Sequence, residues 1–308
     1  MLFSSFEFLF LFLPVVYLIF RLLQCVAPTR VLITFLLLAS IAFYGAWKLA
    51  FLPLILGSIT ANFFLGKWLA ARRETPAARG ILSVGVVLNL SLLVYYKYAH
   101  FITTQLEPLG VPVIAQGILP LGISFFTFQQ LTYLVDVYRG KEVEKRFATY
   151  ALFVSFFPHL IAGPITHHGQ ILNQLRRLGS GFRSNINFAS GLGVFAMGFC
   201  KKLLIADELG PVADAVFGAV RAGAELATGD YWMGAFAYTF QLYFDFSGYS
   251  EMALGLGLMF GVRFPANFLS PYKSKSLIEF WRRWHMSLGW FLREYVYFPL
   301  GGSRSGPT

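Results

Sequence analysis

The chain is 308 residues long, 56% hydrophobic, 18% aromatic and only 13% charged, with a formal net charge of +10 and a mean hydropathy of +0.61. So little polar surface cannot coat a water-soluble globule, which excludes the ordinary soluble-enzyme classes and leaves an all-α polytopic membrane protein. The positive excess belongs with cytoplasmic loops and anionic lipid head groups, because nucleic-acid binding would want a basic patch on a soluble fold.

No polar linker interrupts the apolar segments, so residues 1–308 read as a single membrane domain, with N-terminal spans in 1–117 and a core in 118–308. The chain is apolar almost from Met1, without a basic leader or a small-residue cleavage site, and its first window is expected to be an uncleaved span. Apolar windows cover 6–20, 31–47, 49–65 and 81–98, each close to the about 17 to 25 residues that a helix needs to cross hydrocarbon. Basic clusters follow the first window (Arg21, Arg30) and the third (Lys67, Arg72, Arg73, Arg79), whereas the second is followed by Lys48 alone. That asymmetry puts the first and third loops inside and the N-terminus outside. The turn over 99–117, with Glu107 and no Lys or Arg, then falls outside.

The window at 118–137 ends in Arg139, Lys141, Lys145 and Arg146, an inside signal. A full crossing by 147–165 would place Arg176, Arg177 and Arg183 outside, and Gly163-Pro164 stops a helix there. This segment is therefore expected to dip in and return, its irregular backbone covered by protein. Windows at 186–205, closed by Lys201 and Lys202, and at 231–260 are studded with Gly191, Gly193, Gly198, Gly255 and Gly257. Small residues let helices approach closely in lipid. No internal repeat is present.

Polar residues within apolar windows mark interiors or watery cavities. Asp136, at a span's end, is expected to pair with a nearby arginine. Asp245 lies deep in its window and is either half of a structural pair or part of a substrate path. Gln129 and Gln130 are interhelical hydrogen-bonding residues, His100 is interfacial, and His159, next to Pro158, can line a cavity. His167 and His168 are adjacent in a loop and cannot face the same way, and no partner stands at ligand spacing, so no metal site is expected. Cys25 and Cys200 define neither a disulfide nor a metal framework.

The most charged stretch is 264–302, centred on Trp281-Arg282-Arg283-Trp284-His285. Ser276 with Glu279 is a capping box, which starts a helix near Leu277. On that helix Trp281, His285 and Gly289 would share one face and Arg283, Ser287 and Trp290 another. One face could hold an imidazole against aromatic walls while arginines reach phosphate, carboxylate or lipid head groups. A plain membrane-interface helix fits the same residues.

Taken together the motifs resemble the membrane-bound O-acyltransferases, and within them the bacterial branch of alginate O-acetyltransferases and D-alanyl transfer proteins. The resemblance runs through Leu119-Pro120-Leu121-Gly122-Ile123-Ser124-Phe125-Phe126-Thr127-Phe128-Gln129, Tyr133 to Arg139, and Phe157-Pro158-His159-Leu160-Ile161-Ala162-Gly163-Pro164. It continues in Lys201-Lys202, in Gln241 to Tyr249, in Phe264-Pro265-Ala266-Asn267-Phe268 through Glu279-Phe280-Trp281-Arg282-Arg283-Trp284-His285, and in Tyr297-Phe298-Pro299-Leu300-Gly301-Gly302.

The resemblance implies a ring of tilted transmembrane and re-entrant helices around a tunnel. No cofactor is bound; an acyl-CoA or acyl-carrier-protein thioester gives its acyl group from the cytoplasm, across the inner membrane of a bacterial cell, to a hydroxyl beyond. Periplasmic partner proteins then pass acetyl to a polysaccharide such as alginate. His285 matches one of two tunnel histidines and is the expected catalytic group, with Trp281, Trp284, Asp245, Asn267 and His159 as lining and Arg282 and Arg283 as donor or head-group contacts. The second family histidine, in a Trp-His-Gly setting, has no counterpart before Thr308, so the sequence looks like the N-terminal two-thirds of such an enzyme. Two other readings stay open: a transporter or channel with Asp245 and Asp136 on its path, and a truncated, non-catalytic scaffold of an acetylation complex.

Overall fold

A computed structural model describes residues 2–161, 163–166, 168–178 and 185–304, and every regular element within them is helical. Arg183 and His167 lie outside these residues. Four of the described helical stretches are long and apolar enough to cross a membrane: Phe8–Val26, Leu49–Ala71, Ala77–Leu109 and Asn187–Arg221. The first, α1 (Phe8–Val26), opens with a π-helical turn at Phe8–Phe12. It is followed by α2 (Thr29–Gly45), α3 (Leu52–Ala71) and α4 (Ala77–Leu106). Helix α4 overruns its sequence window at both ends and takes in Arg79, and it continues past Lys97, as long basic side chains can extend from an apolar helix toward polar surroundings.

The next helix, α5 (Ile123–Tyr138), starts later than its window, since Pro120 and the left-handed Gly122 (φ 66°) end the irregular approach to it. It packs against α3 and α4, and polar side chains tie the three together. Gln130 and Ser58 exchange hydrogen bonds at 3.0 and 3.3 Å, and Asn62 and Asn89 face each other amide to amide at 3.2 and 2.7 Å. Gln129 differs from expectation: it is buried, but neither end of its amide has a partner among the described residues.

Two short helices, α6 (Phe147–Ser155) and α7 (Phe157–Leu160), follow. The interruption expected at Gly163-Pro164 begins sooner, at Phe156, whose backbone leaves the helical region (ψ 109°). The amide of Phe157 is thereby freed, and Ser40 Oγ on α2 accepts it at 3.2 Å. Residues 156–160 are buried throughout, which is the condition for irregular backbone at membrane depth. An aromatic core locks the break in place: Phe157 meets Phe43 at 5.6 Å and Phe260 at 5.4 Å between ring centres.

Helix α8 (His168–Arg176) lies beyond that loop, so His168 begins a helix where the sequence suggested a loop. Then α9 (Asn185–Cys200) runs without a break through a π-helical segment, Lys201–Ala206, into α10 (Asp207–Arg221). The two lysines expected to close this window therefore do not. Each has a carboxylate, Glu251 for Lys201 and both Asp207 and Asp245 for Lys202, so their charge is compatible with an unbroken helix.

Helix α11 (Thr228–Met259) crosses α9 glycine on glycine. A Cβ on Gly191 would stand 2.7 Å from the carbonyl oxygen of Gly255, and one on Gly198 would stand 2.5 Å from that of Gly248. Gly193, grouped with them by spacing, has open space instead. Helix α11 stops where Gly261 turns left-handed (φ 80°) and Val262 N reaches the carbonyl of Gly257 at 2.7 Å, a helix ending that needs glycine. The chain then enters the extended segment 262–268, followed by α12 (Leu277–Arg283) and α13 (Met286–Leu292).

Candidate functional site

Helix α12 begins as its sequence suggests. Ser276 Oγ accepts from the amide of Glu279 at 3.2 Å, while Glu279 Oε2 accepts from the amide of Lys275 at 2.9 Å, one residue outside the simplest capping box. That amide, with help from Arg283, holds the Glu279 carboxyl below the ordinary range.

Its far end differs from the helix expected there, which does not continue through His285. Trp284 turns extended (ψ 128°) and His285 adopts a left-handed conformation (φ 41°, ψ 53°), its carbonyl receiving the first amides of α13 from Leu288 and Gly289 at 3.0 and 3.1 Å. The shared faces expected for Trp281, His285 and Gly289, and for Arg283, Ser287 and Trp290, therefore do not form. A non-glycine residue held left-handed costs on the order of 1–2 kcal/mol, and such strain persists only where surrounding structure imposes it.

Here the surroundings are identifiable. Leu269 N donates to the carbonyl of Arg283 at 3.0 Å, and the carbonyl of Asn267 accepts from Met286 N at 2.9 Å. The extended segment thus grips the chain on both sides of His285. Asn267 adds its side-chain Oδ1, which accepts from Ser287 N at 3.3 Å, and Ser287 Oγ in turn accepts from Ile165 N at 3.0 Å. Three segments distant in sequence, 163–166, 264–269 and 283–287, meet at the kink.

The His285 ring lies edge-on to Phe246 of α11, 4.7 Å between centres. Its Nε2 is buried and has no hydrogen-bond partner among the described residues. The kink is outside the four candidate spans, and burial pushes the His285 pKa down to about 4. At neutral pH the ring is therefore the free base, with a nitrogen lone pair available. A cleft of about 400 Å³ opens next to it, lined by Ile165, Thr166, Gln170, Met286, Ser287 and Trp290.

Of the two tryptophans predicted beside the histidine, Trp284 stands at the centre of an aromatic cluster, stacked on Phe280 at 5.6 Å and edge-on to Phe268 at 5.1 Å. Trp281 is 64% exposed and touches Phe280. Arg283 is bound to Glu279 at 2.6 Å and reaches the carbonyl of Leu269, whereas Arg282 is exposed. Asn267 is 1% exposed and His159 fully buried between Phe156 and Phe264, both of its ring nitrogens without partners among the described residues. Asp245 is a half-exposed member of an ion pair with Lys202 at 2.7 Å, not a buried carboxylate. Of the predicted set, the structure brings together His285, Trp284 and Asn267; Trp281 reaches Trp284 through Phe280, Asp245 is paired with Lys202, and His159 packs against Phe264. Phe246, Phe268 and Ser287 enter the sequence reading only as members of the 241–249 and 264–268 motifs and of an expected helix face, without a role at a site, and nothing in the sequence marks Thr166.

A second polar cluster braces the site from behind. Buried Asp136, at the end of α5, accepts from Lys141 Nζ and Tyr295 OH at 2.9 Å each, and His168 Nδ1 lies 2.9 Å from its other oxygen. Among the described residues the cation beside it is a lysine, where the sequence suggested an arginine. Arg139 lies over the Tyr295 ring and donates to the carbonyl of Glu294 at 2.8 Å. The turn after α13 is thereby fastened to α5 and α8. Among the described residues no cluster of His, Cys, Asp or Glu could hold a metal ion.

Comparison with known proteins shows which family the chain resembles. The profile described as MBOAT, membrane-bound O-acyltransferase family, matches residues 138–307. The chain is 45% identical over 314 residues to "Probable alginate O-acetylase AlgI" of Azotobacter vinelandii, covering 99% of this chain and 60% of that protein. It is 40% identical over 332 residues to "Peptidoglycan O-acetyltransferase" of Helicobacter pylori, covering 99% and 62%. A more distant similarity, 28% over 179 residues, links it to "Teichoic acid D-alanyltransferase" of Bacillus subtilis, covering 58% of this chain and 44% of that protein. The chain therefore spans about three-fifths of the length of the first two relatives.

Proposed function

The chain belongs to the membrane-bound O-acyltransferase family, and from that premise we propose that it is the acyl-transferring part of a bacterial O-acetyltransferase in the inner membrane. In this reading it takes acetyl from a cytoplasmic thioester, a coenzyme A ester or an acylated carrier protein, and delivers it across the membrane for esterification of a cell-surface polysaccharide. Periplasmic proteins complete the relay, and the helices surround the tunnel through which the group passes. The reading is supported by two relatives whose names share O-acetyl transfer while their acceptors differ.

One observation carries the chemistry: a neutral imidazole, His285, with a buried nitrogen that has no partner among the described residues, fixed at a strained kink beside a cleft. Its Nε2 accepts the proton of the attacking hydroxyl as that oxygen bonds to the thioester carbon. The C–S bond then breaks, and the proton returns from imidazolium to the departing thiolate. Trp284 forms a rigid wall to the site, and the exposed Arg282 is the contact for donor phosphates or lipid head groups, since Arg283 is occupied by Glu279. A solute-path reading has less support, because Asp245 is paired with Lys202.

The test is chemical. Membranes containing the protein are given labelled acetyl-coenzyme A or an acetylated carrier protein, and free thiol is measured together with ester formed on added polysaccharide. Thiol release in step with ester formation is expected; consumption of neither thioester contradicts the proposal.

A further inference from the structure

We infer that the side-chain amide of Asn267 is the hydrogen-bond donor that holds the thioester carbonyl oxygen while His285 handles the proton, an inference that rests on the O-acyltransferase reading above. Asn267 is 1% exposed. Its main-chain carbonyl and its Oδ1 are both engaged, by Met286 N at 2.9 Å and Ser287 N at 3.3 Å. Since Ser287 N is a donor, the oxygen end of the carboxamide must face it, and that fixes the orientation of the group. Nδ2 remains, buried and without a partner among the described residues.

A buried N–H with no acceptor is costly, and native proteins keep few of them. This one belongs to a residue bonded to the two positions immediately after His285, whose own Nε2 also has no partner among the described residues. Thr166 Oγ1, on the wall of the adjoining cleft, is a third such atom. The N–H pair of one amide, an acceptor nitrogen beside it in sequence and a hydroxyl on the wall of the cleft that Met286 and Ser287 also line, each buried and without a partner among the described residues, describe a receptor for a group rich in lone pairs that is itself attacked.

The reaction needs such a donor. When the acceptor's oxygen bonds to the thioester carbon, the C=O electron pair moves onto oxygen, and the attacking hydroxyl's proton passes to His285. When the tetrahedral species collapses, that pair re-forms C=O, the C–S bond breaks, and the sulfur leaves with its electrons and receives the proton from His285. A neutral, preoriented amide stabilises the charge on oxygen without competing for the proton.

Asn267→Asp tests this, because a carboxylate keeps the acceptor for Ser287 N and removes the donor. The measurements are made on the intact enzyme in membranes, with whichever acetyl thioester the wild type consumes. The expected result is a fall in kcat of about 10²–10³-fold, with the donor's KM changed by far less. Wild-type kcat in Asn267→Asp, with His285→Ala inactive, overturns this inference alone; full activity in both variants overturns the parent reading as well. A second measurement needs no variant. A ketone analogue of the donor, isotopically labelled at its carbonyl, is bound to the wild-type enzyme, and its infrared stretch is expected to fall below its value in an apolar solvent. An unshifted stretch overturns the assignment.

Discussion

Nδ1 of His168 lies 2.9 Å from Oδ2 of Asp136, with both side chains buried, and Tyr295 closes on the other carboxylate oxygen at the same distance. Removing the carboxylate takes a partner away from a buried imidazole and a half-buried phenol together. We expect Asp136→Ala to lower stability by about 3 kcal/mol, and Tyr295→Phe, which removes one hydrogen bond, by about 1 kcal/mol. Denaturation in detergent measures both, and an unchanged midpoint for Asp136→Ala would show that this brace contributes nothing to stability.

The glycine-on-glycine crossing of α9 and α11 leaves no room for a side chain. Gly198→Val should separate the helices and cost about 1–3 kcal/mol. Gly193→Val, on the same helix but facing open space, should change stability by much less. Equal effects of the two would contradict the crossing geometry.

Asn62 and Asn89 bond each other reciprocally between α3 and α4. A double-mutant cycle with alanine at each position should return a coupling of about 0.6–1.7 kcal/mol, the range for polar pairs between helices in membranes. A coupling of zero would mean that the two amides act independently.

The pKa of His285 is pushed down by burial, so its neutral form is the one that the fold favours. Between the unperturbed value of about 6.5 and the folded value of about 4 the unfolded chain binds the extra proton, and stability falls as pH falls through that window. Acetyl transfer should accordingly stay level as pH drops past 6.5 and decline toward about 4. A loss that depends on His285 and is centred near the unperturbed value would contradict its burial.

Much of this was legible in the sequence. Hydrophobic runs located the early helices, Ser276 and Glu279 marked the start of α12, and Gly163-Pro164 announced a broken segment. What escaped depends on contacts made far along the chain. Nothing local says that α12 will stop at Trp284. That break is imposed by Asn267 and Leu269, whose hydrogen bonds take the backbone groups on either side of His285. Lys201 and Lys202 read as the end of a helix because charges end membrane windows, and their partners Glu251 and Asp245 lie on another helix. For the same reason Trp281 and Trp284 looked equivalent in sequence, although only the second has Phe268 and Tyr272 to meet it.

The central claim is that the imidazole at the kink takes part in acyl transfer, and His285→Ala in the intact enzyme addresses it most directly. Acetyl ester formation from a labelled thioester is followed in membranes containing equal amounts of wild-type and variant protein, with thermal denaturation checking that both are folded. Loss of transfer by a folded variant is the predicted result. Wild-type turnover by His285→Ala would remove this residue from the mechanism.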